Sequence, residues 1–404
     1  MFDAMKQLKV FTAFSGYDSQ CMAFDRLGID YELVGWSEID KYAIQAHNAI
    51  YPQWADRNFG DISKIDWNEV PDFDLFTYSF PCTDISSAGQ QKGLEKGSGT
   101  RSSLLWECQK AIEIKRPKYC LMENVAALVS EKFRPFFLEW ERLMCRYGYT
   151  NYNKVLNAKD YGIPQNRERI FMVSVLDPNK TFYWPEPMRL EKRLKDVLEQ
   201  NVDEKYYLSD LSINRLKKNL GGRKLEADVN HSAKTILANC HKIQTLDNYI
   251  KDDEPKIIDD IYKNREPWVY GDYAPTIRSG HDMMKVAEPI HGISVHPTSH
   301  ALEFKGEESI KKDAPPALRA TDYKCPHVVW ENKPFYRVRK LTPRECFRLM
   351  GVTETNIDKI QNSGISNTQQ YKMAGNSIVV DVLTHIFRKM FIETGQESEQ
   401  LSLF

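Results

Sequence analysis

Tyr78-Ser79-Phe80-Pro81-Cys82-Thr83-Asp84-Ile85-Ser86-Ser87-Ala88-Gly89 continues the apolar run Phe73-Asp74-Leu75-Phe76-Thr77-Tyr78. A short apolar run bounded by turn residues predicts a buried strand, and the Ser- and Gly-bearing continuation predicts a loop. The Cys82 thiol is therefore expected just beyond a strand end. Pro81 fixes the backbone before it and removes a ladder donor, which suits a turn leaving a sheet. By itself such a cysteine reads as a buried structural residue, since free Cys is among the most buried types. The segments on either side change that reading.

Upstream, Lys9 to Phe14 is a strand candidate followed by Ser15-Gly16-Tyr17-Asp18-Ser19 and a helical pattern through Met22, Ala23 and Leu27. Strand, Gly-bearing turn and helix start together open a nucleotide-binding βαβ unit. Tyr31 to Trp36 is the next strand candidate. It ends at Ser37-Glu38-Ile39-Asp40, so Glu38 falls 22 positions after Gly16, near the spacing at which a carboxylate accepts from ribose hydroxyls. The alternative makes Asp40 a helix N-cap and Glu38 a solvated acid. Gly60-Asp61-Ile62 adds an Asp after a turn, where it can accept from an adenine amino group.

Downstream, Gln90 to Thr100 carries Gly93, Gly97 and Gly99 among lysines, which suits a mobile loop reaching phosphates or a plain surface loop. Leu104, Leu105, Cys108, Ala111 and Ile112 follow at helical spacing, which makes Cys108 a core residue. Lys118 to Met122 reads as another buried strand, ending at Glu123-Asn124-Val125. Phe136, Phe137, Trp140, Leu143, Met144 and Tyr147 share one helical face. Strands are expected at Asn151 to Leu156 and Ile170 to Val175, and between them Gln165, Arg167 and Arg169 share one face if the segment is extended. In an open parallel sheet ligands bind outside the carboxyl ends of the strands. Gly16, Glu38, Cys82 and Glu123 all fall at predicted strand ends on that side.

The chain has 404 residues, which favours two domains. Hydrophobic content of 42% and charged content of 27% are globular values, and a formal net charge of −1 requires any nucleic-acid surface to be basic only locally. Eight cysteines without Cys-x-x-Cys spacing, no zinc-type cluster and a start lacking an apolar signal core indicate a cytoplasmic protein with free thiols and no metal site. No apolar run approaches the roughly 18 residues needed to cross a bilayer. The pattern changes after about residue 180, at Pro185 and Pro187. An acidic stretch lies near Asp252 to Asp260, and Arg278-Ser279-Gly280-His281 and Arg319-Ala320-Thr321-Asp322-Tyr323-Lys324 offer groups for phosphates and base edges. Order resumes at Arg337 to Cys346, with Thr342 as N-cap and Pro343 in the first helical position. Tyr371 to Ser377 is read as opening an apolar-faced helix through Val379, Val382, Leu383, Ile386, Phe387 and Met390.

With these residues in order, the chain resembles the DNA (cytosine-5)-methyltransferases, prokaryotic or phage type. The resemblance rests on Phe14-Ser15-Gly16, Glu38, Gly60-Asp61-Ile62, Phe80-Pro81-Cys82, Glu123-Asn124-Val125, Gln165-x-Arg167-x-Arg169, Arg339-x-Leu341-Thr342-Pro343-Arg344-Glu345-Cys346 and Gly375-Asn376-Ser377. It covers the chain apart from the variable middle. It implies an α/β, Rossmann-like, S-adenosylmethionine-binding domain formed by 1–180 and 337–404, with a small target-recognition domain inserted at 181–336. It also implies that Cys82 adds to C6 of a flipped-out cytosine, that Glu123 supplies a proton to ring position 3, and that Arg167 and Arg169 stabilise base and thiolate. The cofactor would meet Phe14, Gly16, Glu38, Ile39, Asp61, Ile62, Asn376 and Ile378, and the loop from Ser86 to Arg101 would close over the base. Asp18 stands where the family usually has a second glycine, and Thr83 where it commonly has Gln. The implied partner is double-stranded DNA, with a cognate restriction endonuclease on another chain as one setting and phage self-protection as another; a monomer is expected. Two other readings stay open: a tRNA methylase built on the same Cys and Glu-Asn-Val machinery, and a DNA-binding protein without turnover.

Overall fold

The computed structural model describes residues 7–81, 104–209, 212–213, 216, 230–236, 249–252 and 337–393, with the strand segments 257–259, 268–270, 284–285, 294–295 and 328–329. Cys82, the loop from Ser86 to Arg101, and the segments around Arg278 and Arg319 lie outside the described residues.

The chain divides into two units. The first comprises Met1–Tyr206, Arg215–Asn248 and Leu341–Phe404, and the second Tyr207–Asn214 and Tyr249–Lys340. The first is built on β1 (Leu8–Ala13), β2 (Tyr31–Ser37), β3 (Leu75–Tyr78), β4 (Tyr119–Val125), β5 (Thr150–Asn157), the two-residue β6 (Gln165–Asn166), β7 (Glu168–Val175) and the two-residue β8 (Ala233–Lys234). A six-stranded sheet has the order β2-β1-β3-β4-β7-β5, and β6 pairs with β8 separately.

Register explains why distant motifs converge. Ala13 pairs with Ser37 and with Tyr78, and Tyr78 pairs with Met122, all in parallel. The strands β2, β1 and β3 therefore end level, with β4 running three residues further to Val125, and the residues at these ends emerge along one rim. That rim is where the order reverses between β1 and β3, the crevice an open α/β sheet offers to ligands. The sheet is not wholly parallel as the pattern predicts: β7 runs antiparallel to both β4 and β5. A parallel return needs a crossover of about a dozen residues or more. The link from Asn157 to Glu168 is shorter and carries a single 3-10 turn at Ala158–Tyr161.

The helices are α1 (Ser19–Leu27), α2 (Lys41–Ile50), α3 (Leu105–Lys115) and α4 (Arg134–Arg146), then α5 (Pro343–Arg348), α6 (Glu354–Asn362), α7 (Asn367–Asn376) and α8 (Val380–Phe391). Helix α4 buries Phe137, Trp140, Leu143 and Met144, the expected face. Trp140 reaches β3, where its Nε1 donates to the Tyr78 hydroxyl at 3.0 Å. Phe11, Trp67, Phe73 and Phe76 pack as an aromatic cluster under the sheet, with Phe11 and Trp67 edge to face at 5.1 Å. Helices α1 and α8 pack together through the stacked rings of Phe24 and Phe387, 4.3 Å apart.

The C-terminal return begins as predicted. Thr342 caps α5 in a capping box, its N–H donating to Glu345 Oε2 at 2.7 Å while its Oγ1 accepts from the Glu345 N–H at 3.2 Å. The next expectation is corrected. Tyr371 to Asn376 closes α7 instead of opening the final helix, Ser377 and Val379 are extended, and α8 starts afresh at Val380. The Val380 N–H donates to Met350 O at 2.9 Å, which holds the break.

In the second unit β9 (Tyr249–Asp252) pairs antiparallel with β15 (Arg337–Lys340). Between them in sequence lie β10 (Ile257–Asp259), β11 (Trp268–Tyr270) and β12 (Met284–Lys285), which form a three-stranded antiparallel sheet, and β13 (Ser294–Val295) with β14 (Val328–Val329), which form a pair.

Candidate active site

The turn after β1 is shaped by left-handed backbone at Phe14 (φ 56°), Gly16 (φ 59°) and Asp18 (φ 68°). Gly16 suits this conformation, and a Cβ there would meet nothing within 4 Å, so open space adjoins the turn. Asp18 adopts the glycine-like conformation that Asp tolerates better than most residues. Its fully buried carboxylate accepts from Thr12 Oγ1 at 2.9 Å and lies 3.5 Å from His47 Nε2. Sequence reasoning missed His47, whose ring stacks on Trp36 at 3.8 Å.

Glu38 ties the turn to the end of β2. One carboxylate oxygen accepts from the Gly16 N–H at 3.0 Å, and the other accepts from the N–H groups of Ile39 and Asp40, each at 2.8 Å. A carboxylate offers about four lone-pair positions, so one on the Gly16 side remains for a ligand hydroxyl. Asp40 is indeed a helix N-cap, accepting from Tyr42 and Ala43. Burial disfavours its charge, but the Lys372 ammonium and the cap N–H groups prevail and hold it below the usual carboxylate range. Ile39 is 71% exposed beside buried Trp36 and Ser37, an apolar face left in the open. Asn58 is a second missed residue. Its side chain accepts from the Glu38 and Gly60 N–H groups and donates to Glu38 O, binding the Gly60-Asp61-Ile62 turn to the same rim. Asp61 accepts from the Ser63 hydroxyl and N–H, which lower its proton affinity, while Ile62 is buried. The Asn-x-Gly spacing is an Asx-turn signal that could have found Asn58.

From the far end of the chain, Asn376 is exposed at the close of α7 and Ile378 is buried just after it. The Tyr17 hydroxyl donates to Ser377 Oγ at 2.5 Å, across 360 positions of sequence. Burial pushes the Tyr17 phenol up to about 12 despite that bond, so it remains a donor at neutral pH. An adenosine-bearing sulfonium ligand such as S-adenosylmethionine fits these groups: an apolar face at Ile39, an acceptor at Glu38, and open space beside Gly16.

Glu123 lies at the same level on β4 and is 6% exposed. Ser79 Oγ donates to its Oε2 at 2.7 Å, and Arg169 Nε lies 3.1 Å from its Oε1. The neighbouring Asn124 side chain donates to Phe80 O at 2.9 Å. Two consecutive residues of β4 thus fix the backbone and side chain immediately ahead of Pro81-Cys82. Arg169 reaches Glu123 because antiparallel pairing sets Arg169 opposite Val125.

The three alternating residues do not converge on one ligand. Gln165 is buried, its Nε2 donating to Leu349 O at 2.6 Å and its Oε1 accepting from the Ile236 N–H at 2.9 Å. Arg167 is 3% exposed and donates to Ile236 O at 3.0 Å, Gly375 O at 3.0 Å and Ser377 O at 2.7 Å. Of the three, Arg169 pairs with Glu123, whereas Arg167 holds the backbone on either side of Asn376. A cavity of about 880 Å³ lined by Arg26, Lys192, Glu199, Arg348, Glu354 and Asp381 contains none of the sequence-predicted site residues. Its Arg26 and Arg348 are paired with Asp381 and Glu354, which marks it as a packing seam between polar elements.

The profile of the C-5 cytosine-specific DNA methylase family matches residues 8–392. The chain is 33% identical to the type II methyltransferase M2.ScrFI of Lactococcus lactis subsp. cremoris, over 95% of this chain and 99% of that one. It is 31% identical to the orphan methyltransferase M.SPRI of Bacillus phage SPR, over 96% and 98%. Among solved structures, the Entamoeba histolytica methyltransferase EhMeth shares the fold with a TM-score of 0.64 at 17% identity, over 96% of this chain and 99% of that one. Among the described residues no helix is long and apolar enough to cross a membrane. The chain belongs to the C-5 cytosine-specific DNA methylases, enzymes that transfer a methyl group from S-adenosylmethionine to C5 of cytosine in DNA.

Proposed function

We propose that this enzyme acts on a flipped-out cytosine of duplex DNA with Cys82 as nucleophile and Glu123 as the group that protonates the ring at position 3. C5 of cytosine is a weak nucleophile, and thiolate addition at C6 raises its electron density only if the ring nitrogen is protonated or strongly hydrogen-bonded. Bound S-adenosylmethionine supplies an electrophilic methyl. The observation that carries this reading is the Glu123 carboxyl, buried at the rim and held by Arg169 on the strand beside the one leading into Cys82. Arg169 orients the acid. Arg167 acts at one remove, by fixing Gly375 and Ser377 so that Asn376 presents to the cofactor. Phe14, Gly16, Glu38, Ile39, Asp61, Ile62 and Ile378 form the rest of that pocket.

The stretch 181–336 supplies target recognition, and the segments 1–180 and 337–404 the chemistry. The enzyme works as a cytoplasmic monomer, either beside a restriction endonuclease on another chain or as an orphan protecting its own DNA; one relative described as a type II methyltransferase and one described as an orphan methyltransferase support either setting. Transfer of labelled methyl to mixed-sequence duplex DNA, run beside structured RNA, tests the proposal for wild type and Cys82→Ser. Label recovered as 5-methylcytosine in DNA and lost in the variant is expected. Transfer to RNA alone, or undiminished transfer by Cys82→Ser, would overturn it.

A further inference from the structure

The two oxygens of Glu123 have chemically different partners. Arg169 faces Oε1 and Ser79 faces Oε2. A guanidinium only donates, so a proton on Oε1 would point at a donor and lose the pair. A serine hydroxyl both donates and accepts and can rotate between the two. When Glu123 is ionised, Ser79 donates to Oε2. With a proton on Oε2, the same hydroxyl turns and leaves that proton free for a base. We propose that Ser79 is a positioning residue that confines the transferable proton of Glu123 to Oε2, making that oxygen the one that serves ring position 3 of cytosine.

This rests on the cytosine-methylating reading of Cys82 and Glu123. As the sulfur–C6 bond forms, the C5=C6 electrons shift toward C4, the C4=N3 pair moves onto N3, and N3 takes the proton from Oε2. After C5 has taken the methyl and C4=N3 is restored, a solvent base removes the C5 proton, C5=C6 re-forms as the sulfur leaves, and N3 returns its proton to Oε2, so Glu123 and Ser79 end as they began. Geometry favours Ser79 for this task. It is the residue after Tyr78, whose register partner is Met122, and this puts Ser79 beside Glu123 on the adjacent parallel strand. The next residue, Phe80, is pinned by Asn124. The Ser79 backbone is thus fixed on both sides, and its hydroxyl needs only to rotate.

Duplex DNA of mixed sequence, synthesised with 5-fluorocytosine in place of cytosine, provides the test. Fluorine at C5 cannot leave as a proton, so with S-adenosylmethionine present the methylated thiol adduct persists, and its rate of formation reports addition and methyl transfer together. Ser79→Ala is expected to slow adduct formation by about 10- to 100-fold, at or below the roughly 10²-fold lower bound of direct general acid–base contributions because Ser79 acts through Glu123, with unchanged affinity for S-adenosylmethionine. Ser79→Thr, which keeps the hydroxyl, should stay within about threefold of wild type. Glu123→Gln should be slower than either, and adding Ser79→Ala to it should cost nothing more, because residues acting as one unit are not additive. Wild-type rates for Ser79→Ala, equal losses for Ser79→Thr, or full additivity on the Glu123→Gln background would overturn the proposal. If wild type itself forms no adduct and transfers no label, the methylating assignment of Cys82 and Glu123 fails instead, which is a separate result.

Discussion

Replacing Arg167 with Ala should damage the cofactor pocket without touching it. The guanidinium holds Ile236 O, Gly375 O and Ser377 O at 2.7–3.0 Å while 3% exposed. Hydrogen bonds to charged groups contribute about 1.5–3 kcal/mol each, so a simple sum for three is roughly 5–9 kcal/mol. That overshoots, because water can enter the vacated space and solvate some of the carbonyls. Leaving a buried acceptor without its partner typically costs about 1–3 kcal/mol, and a net loss near 3 kcal/mol is expected. The Gly375 and Ser377 carbonyls flank Asn376, so part of that loss should appear as slackness in the cofactor loop. Calorimetric titration of S-adenosylmethionine should show affinity weakened at least tenfold, the equivalent of about 1.4 kcal/mol, alongside a lower urea midpoint. Arg167→Lys should recover little of either, because one ammonium cannot match a planar fork directed at three carbonyls. Unchanged affinity together with an unchanged urea midpoint in Arg167→Ala would refute the anchoring role and return Arg167 to direct contact with the base.

Arg169→Ala removes the charged partner of Glu123 and should lower the single-turnover rate by about 10²-fold or more, in the range of preorganised electrostatic groups, with cofactor affinity within twofold of wild type. Gly351→Ala forces a side chain into left-handed backbone (φ 77°) and drives its Cβ into Asp381 Oδ2. Displacement of Asp381 from Arg26, together with strain of about 1–2 kcal/mol, should lower the thermal midpoint by several degrees in calorimetry. Glu354→Gln tests linkage. Hydrogen bonds from Arg348 hold the Glu354 carboxyl below its ordinary value of 4.5 against the pull of burial. A depressed folded-state value contributes stability that is present above the unfolded value and lost as pH falls through the folded one. The variant should therefore be less stable than wild type at pH 7, by no more than about 1 kcal/mol because the pair is partly exposed. The difference should shrink below pH 4.5 and vanish in acid, as urea titrations at several pH values would show.

Much of the scaffold is legible in the residues because each element carries its own periodicity. The buried run of β3, the apolar face of α4 and the Thr342-Pro343 start of α5 are local patterns, and the structure repeats them. Reversal of β7 was missed because strand direction depends on the length of a connection, and an apolar run looks the same in either sense. The helix break at Ser377 was missed for a similar reason: it is held by Met350, a contact that no local pattern encodes. At the candidate site, the convergence of the turn after β1, Glu38 and Glu123 on one rim followed from strand ends alone. The division of labour between Arg167 and Arg169 did not. Alternation predicts a common face, but whether a side chain meets a carboxylate or a backbone carbonyl depends on what folds against it. Ser79 and Asn58 escaped because small polar residues beside turns are common, and His47 because a histidine within a helix carries no local signal; only three-dimensional contact distinguishes them.

The bond from Tyr17 to Ser377 also bears on synthesis. The turn after β1 emerges from the ribosome some 360 positions before its hydroxyl partner, and also well before the helix α8 that covers α1. Loop closure over some 360 positions makes this a slow, non-local step. Until α8 is made the apolar face of α1, including Phe24, has no final covering, and the nascent chain must be shielded from association over that interval. Methylation competence should then appear as a late, all-at-once event. A message truncated before codon 377 should yield chains that aggregate, not a weaker enzyme.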